Sequence, residues 1–108
     1  MSNKEFKDRV LSWAKIVNVN PKEIQIRKMK RKWGSCSSNG RISFNEELLC
    51  QSLEFIDYVI VHELLHLRYP THNKMFKLML NIYLKETEKI EKIKKMVVMN
   101  NLNNNLNI

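Results

Sequence analysis

His62-Glu63-Leu64-Leu65-His66 is the stretch that most narrows the structures open to this chain, because its chemistry makes sense at one backbone period only. Histidines four apart on an α-helix share a face, roughly 6 Å along the axis, so both imidazoles can reach one small cation. Glu63, beside the first of them, can reach a water held by that cation. This is the H-E-x-x-H spacing of zinc hydrolases, in which the glutamate is the general base and not a ligand. The preceding run Tyr58-Val59-Ile60-Val61 is β-prone, so a strand is the competing reading. The histidine pair decides for a helix from Leu53 to about Arg68, capped by Ser52 and ended by Tyr69-Pro70. Phe55, Ile56, Val59, Ile60, Glu63, Leu64 and Leu67 mark its buried and semi-buried positions.

Zinc catalysis takes three protein ligands and leaves a fourth position for water. His62 and His66 supply two, and His72 is the one histidine left in the sequence. The Tyr69-Pro70 break lets the chain turn and bring His72 back from the start of a third helix. The expected site is therefore His62, His66 and His72 around one zinc ion, with Glu63 as catalytic base. Bound zinc lowers the pKa of its water from about 15.7 toward 7. Glu63 would take that proton as water attacks a carbonyl carbon, then pass it to the leaving amine. The simpler alternative, two surface histidines on an amphipathic helix, fits poorly with the apolar residues around the motif, where unpaired polar groups are costly.

The rest of the chain reads as helix, extended segment, hairpin, helix, helix. Ser2 with Glu5 is a capping box, and Phe6, Val10, Leu11, Ala14 and Val17 recur at helical spacing, with Trp13 less well phased. Helix 1 is expected from about residue 3 to 17. An extended segment over about 23–37 meets the Asn39-Gly40 hairpin signal, and Arg41 to Asn45 is the returning strand. Glu46 to Cys50 reads equally as a short strand or a helical turn. Thr71 is the expected cap of helix 3, which carries Phe76, Met79, Leu80, Tyr83 and Leu84 toward the core. That helix continues through the i, i+4 pairs Glu88/Lys92 and Glu91/Lys95. Residues 1–99 are expected to form one domain, and the asparagine-rich stretch 100–108 a disordered tail.

A chain of 108 residues can bury one modest core. No apolar run approaches the roughly 20 residues that cross a bilayer, and the polar start lacks a secretory signal. A cytoplasmic protein is expected, with no membrane partner. Nineteen Lys+Arg against eleven Asp+Glu leave a net charge of +8. That charge reads either as a solubilising surface or as attraction to nucleic acid. Cys36 and Cys50 belong to no C-x-x-C pair, and both are expected to be thiols packed as small apolar groups.

Three blocks of residues carry a family resemblance. They are Lys28-Met29-Lys30-Arg31-Lys32-Trp33-Gly34-Ser35-Cys36-Ser37, Arg41-Ile42-Ser43-Phe44-Asn45, and Ile56-Asp57-Tyr58-Val59-Ile60-Val61-His62-Glu63-Leu64-Leu65-His66-Leu67 with His72 and Phe76 downstream. Over about residues 23 to 80 the chain resembles the YgjP-like metallopeptidase domain, a small zincin-type family more distantly related to the SprT-like and WLM proteases. The resemblance implies His62, His66 and His72 as zinc ligands and Glu63 as base. It also implies an edge strand over the cleft, to which an extended peptide can add through main-chain hydrogen bonds. Trp33, Gly34 and Ser35 are then candidate substrate-binding residues, although the preferred reading of Trp33 is a core aromatic at a strand end. Asp57 reads as a helix-start carboxylate favoured by the macrodipole or as support for a ligand. Tyr69 reads as a packed helix-end tyrosine or as an oxyanion stabiliser.

The expected fold is α+β, a minimal zincin-like domain. It comprises an N-terminal helix, a small antiparallel hairpin-based sheet, the H-E-x-x-H helix and a long C-terminal helix. The expected function is zinc-dependent hydrolysis of peptide bonds by metal-bound water activated by Glu63. The rival is a basic module, Arg27 to Lys32 contacting phosphates, with a structural or non-catalytic metal.

Overall fold

In a computed structural model, which describes residues 1–85, the chain is α+β: three helices and a three-stranded mixed sheet. Helix α1 spans Asn3–Val17, and its start is the capping box foreseen from Ser2 and Glu5. Ser2 Oγ accepts from the Glu5 amide at 3.0 Å, and Glu5 accepts from the Ser2 amide at 2.8 Å. Asn18 closes the helix in the left-handed region at φ 65°, which asparagine tolerates better than most residues. Phe6, Val10, Ala14 and Val17 form its buried stripe. Leu11, which the helical spacing had included, is 51% exposed instead.

Strands β1 (Glu23–Arg27), β2 (Gly34–Cys36) and β3 (Arg41–Asn45) lie in the order β1-β3-β2. The expected continuous segment 23–37 is thus two strands, parted at Lys28–Trp33. Only β2 makes the antiparallel hairpin with β3, while β1 pairs with β3 in parallel. Six residues carry the chain over the end of β3. Asn45 holds them there: its Nδ2 donates to the carbonyls of Met29 at 2.9 Å and Lys32 at 3.0 Å. At the hairpin tip the Gly40 amide donates to Ser37, and Gly40 alone takes positive φ, 95°. That is a turn closed by a left-handed glycine, and not the two-residue turn that needs both Asn39 and Gly40 at positive φ.

Asn45 also caps a 3₁₀ turn over Glu46–Cys50, which settles the segment left open between strand and helical turn. Helix α2 follows at Leu53–Leu65, capped by Ser52 as expected and ending three residues early. Ten of its thirteen residues are buried, because it is packed on two sides. One side meets α1 and the sheet, with Phe6 edge-on to Phe44 at 5.0 Å and Phe55 edge-on to Trp33 at 5.1 Å. The other side meets α3 (Lys74–Lys85) through Val61, Leu65, Phe76 and Leu84. Burying each such side chain stabilises the fold by about 1.5–3 kcal/mol.

Two expectations about α3 change. Its cap is Asn73, whose Oδ1 accepts from the Phe76 amide at 2.8 Å, and not Thr71. His72 accordingly lies in the connection before the helix, not on its first turn. The pairs Glu88/Lys92 and Glu91/Lys95 and the tail 100–108 lie outside the described residues. Among those described, no helix is long and apolar enough to cross a membrane.

Candidate metal centre

Helix α2 carries His62, its C-cap His66 follows one turn later, and the turn after it returns the chain to them. The amides of Arg68 and Tyr69 both donate to the Leu65 carbonyl, at 3.0 and 2.8 Å, which reverses the chain before Pro70. His72 thereby comes back over the helix end. The three rings converge, with centroids 5.0 Å apart for His62 and His66, 5.0 Å for His62 and His72, and 4.8 Å for His66 and His72. One ligand atom from each lies within 4.8 Å of the others. His66 Nε2 and His72 Nε2 are 3.1 Å apart, close to the roughly 3.3 Å edge of a tetrahedral site with zinc–nitrogen bonds of about 2.0–2.1 Å.

The tautomer of His66 follows from its other nitrogen. Nδ1 is 3.1 Å from the Tyr69 carbonyl oxygen, which can only accept, so Nδ1 carries the proton and Nε2 keeps its lone pair for a cation. Phe76, buried beneath the cluster, has its ring centroid 4.9, 4.7 and 4.9 Å from those of His62, His66 and His72. This aromatic floor limits the rotamers open to all three imidazoles.

Glu63 is 1% exposed. Its Oε2 lies 3.5 Å from His62 Nδ1, too long for a good hydrogen bond, and neither atom finds a partner among the described residues. Burying an unpaired carboxylate oxygen is costly. A divalent cation, with the water it orders, removes that cost, and three neutral imidazoles suit such an ion. The residues present therefore fit a metal.

Gly34 explains how the carboxylate is accommodated. A Cβ at this position would lie 2.9 Å from Glu63 Cγ and 3.2 Å from the Ser43 carbonyl oxygen. Strand β2 can cross the helix here only because residue 34 has no side chain. Gly34 and Glu63 both line a groove of about 440 Å³. One wall is Lys32 with Gly34, Ser35 and Cys36, and continues to Ser37 and Ser38 at the hairpin. Leu67 and Pro70 form the other, with Glu63, His66 and His72 between. Burial, and secondarily the Glu63 charge, push the Cys36 thiol up to about 11, and the same two causes raise the Tyr58 hydroxyl.

The structure thus brings Glu63, His62, His66, His72, Gly34 and Ser35 to one place. Trp33 is not part of the groove lining, and its ring packs on Phe55 in the core. Tyr69 packs against the second core cluster under the Arg68 guanidinium, and contributes its backbone oxygen instead of its hydroxyl. Asp57 faces α1: Arg9 donates to both of its oxygens at 2.6 and 2.8 Å, and Trp13 Nε1 donates at 2.9 Å. Cys36 is half-buried in the groove wall, whereas Cys50 is exposed and packs into no core. The clearance at Gly34 and the floor at Phe76 were beyond sequence reasoning, since only an H-x-x-x-F spacing hinted at the second.

Residues 2–95 match the family model of the YgjP-like metallopeptidase domain. The crystal structure of the metallopeptidase zymogen jannalysin of Methanocaldococcus jannaschii superposes with a TM-score of 0.75 at 26% identity, covering 88% of this chain and 95% of that one. The zymogen of Pyrococcus abyssi abylysin shares the fold, with a TM-score of 0.64 at 19% identity over 80% of this chain and 93% of that one. No curated protein matches the sequence.

Proposed function

The chain belongs to the YgjP-like metallopeptidase domain family, and on that premise we propose that His62, His66 and His72 hold one zinc ion while Glu63 serves as general base in peptide-bond hydrolysis. The protein is a metallopeptidase, and its substrates are peptides or proteins. When bound, zinc would act as a Lewis acid on a peptide carbonyl and make a water acidic enough to lose its proton near neutral pH.

The chain's own residues do the rest. Glu63 takes the proton at Oε2, the oxygen without a partner among the described residues, and delivers it to the leaving amine nitrogen. Gly34 admits the carboxylate beside the strand, and the Tyr69 carbonyl keeps His66 in the tautomer whose Nε2 would be free to hold the ion. The open groove along Gly34–Cys36 receives the substrate backbone, with Gly34 and Ser35 beside it. Residues 1–99 act as one catalytic unit, in accord with a family match that reaches residue 95. Two unpaired cysteines favour a reducing, cytoplasmic setting.

The observation that carries this reading is a buried carboxylate oxygen, without a partner among the described residues, beside three converging imidazoles. Glu63→Gln should keep its zinc and lose about 10²–10⁴-fold in turnover. If that variant hydrolyses a confirmed substrate at the wild-type rate, the assignment of Glu63 is wrong.

A further inference from the structure

Five of the six residues at 27–32 are cations: Arg27, Lys28, Lys30, Arg31 and Lys32, all exposed. None is paired with a carboxylate among the described residues, although Arg41 pairs with Glu23 and Lys4 with Asp8 elsewhere on the surface. The segment is not a loose loop on which charge has merely collected. Asn45 grips its carbonyls at Met29 and Lys32, and the Asn45 amide donates to the Trp33 carbonyl at 2.9 Å. Like charges held this close repel one another, and an anionic ligand relieves the repulsion.

The position of the segment indicates which anion. Lys32 both ends the basic run and begins the groove wall that continues into β2. Even a fully extended chain keeps Lys28 within about 14 Å of Lys32, so at low ionic strength, where the screening length reaches about 30 Å, the charges from Lys28 to Lys32 all act on whatever occupies that end of the groove. At the other end stand the hydroxyls of Ser37 and Ser38, and among the described residues Glu63 is the one carboxylate in the lining. The groove is therefore electrically lopsided along its length.

We infer that this peptidase selects acidic segments, binding Asp or Glu residues of the substrate on one side only of the scissile bond, the side that passes Lys32 toward Arg31, Lys30 and Lys28. This rests on the reading of the groove as a peptide cleft. A polypeptide is the favoured anion over nucleic acid because the charge is continuous with the groove that holds Glu63, His66 and His72. An extended chain lying against β2 must leave the groove through the basic end.

The test uses the zinc-loaded Glu63→Gln protein and direct binding of fluorescent octapeptides, so that it does not depend on turnover. The peptides carry four acidic residues at the N-terminal half, four at the C-terminal half, or Asn and Gln in their place. One acidic orientation should bind about tenfold tighter than its amide counterpart at low salt, and the other little better than the counterpart. Adding Lys28→Glu, Lys30→Glu and Arg31→Glu should erase the difference without altering zinc content or affinity for the amide peptide. The inference is overturned if neither orientation outbinds the amide peptide, or if the preference survives charge reversal. It is overturned in favour of nucleic acid if an oligonucleotide binds more tightly than every peptide and loses that binding in the triple variant. Failure of the wild-type protein to cleave any peptide would bear on the catalytic assignment, leaving these affinities to decide selectivity.

Discussion

Replacing Gly34 with alanine tests the site through a single methyl group. Gly34 does not have positive φ, so the substitution meets no backbone objection, only a spatial one. Carbon atoms in contact rest about 3.5–4.0 Å apart. The new Cβ would stand 2.9 Å from Glu63 Cγ and 3.2 Å from the Ser43 carbonyl. Ser43 lies in the central strand, paired on both sides, so most of the yielding falls on Glu63. The carboxylate is then displaced by about 0.6–1 Å. A misplacement of that order at a reacting group costs on the order of 10²-fold in rate. Overpacking adds about 1–3 kcal/mol of destabilisation, at about 4–8 °C in Tm for each kcal/mol. The histidines are not touched by the new methyl, so zinc content should stay at one per chain. The assay is kcat/KM on a quenched fluorescent peptide beside elemental analysis of the same samples, with kcat rather than KM carrying the loss. A folded, zinc-replete Gly34→Ala protein with unchanged kcat would refute the positioning argument. So would a loss of activity that merely tracks lost zinc.

Three further outcomes are expected. His72 is exposed, so His72→Ala should leave the metal-free Tm nearly unchanged while abolishing the rise that zinc confers on the wild type, about 2.7 kcal/mol at a hundredfold excess over Kd. A scan with and without zinc reads this directly, and an undiminished zinc shift in the variant would remove His72 from the ligand set. Asp57→Ala strips a mostly buried carboxylate from Arg9 and Trp13; with Arg9 about a third exposed, the cost should be about 1–3 kcal/mol, seen as a lower urea midpoint at constant slope. In metal-free protein, alkylation at pH 8 should label exposed Cys50 well before Cys36, whose thiol is raised to about 11 by burial and the Glu63 charge. Because the folded state holds that proton more tightly, the Cys36 contribution to stability is complete below the unfolded thiol pKa of about 8.5 and is lost as pH rises through about 11. Equal labelling of the two thiols at pH 8 would contradict this.

What could be read along the chain was what neighbours within about four residues settle. The Ser2–Glu5 box starts α1, Ser52 starts α2, and Gly40 turns the hairpin, each through contacts a few positions long. The His62/His66 pair is of the same kind, a consequence of helical period, and so was visible before any fold was known. The same local logic misplaced the start of α3, because Thr71 and Asn73 are both good caps and it is Asn73 that accepts from the Phe76 amide. The extended segment 23–37 was misjudged for a related reason: the stretch Lys28–Trp33 that parts it is held by the Asn45 side chain, up to sixteen positions away.

From its residues alone this chain specified an H-E-x-x-H helix, a third histidine within reach and a basic segment, since periodicity and charge are properties of short spans. Tertiary packing decided the parallel partner of β1, the bond of Asp57 to Arg9 forty-eight positions away, and the vacant Cβ at Gly34 that lets Glu63 stand in the groove. Those depend on close packing between distant segments, where a methyl group either fits or does not, and no local propensity encodes such a fit.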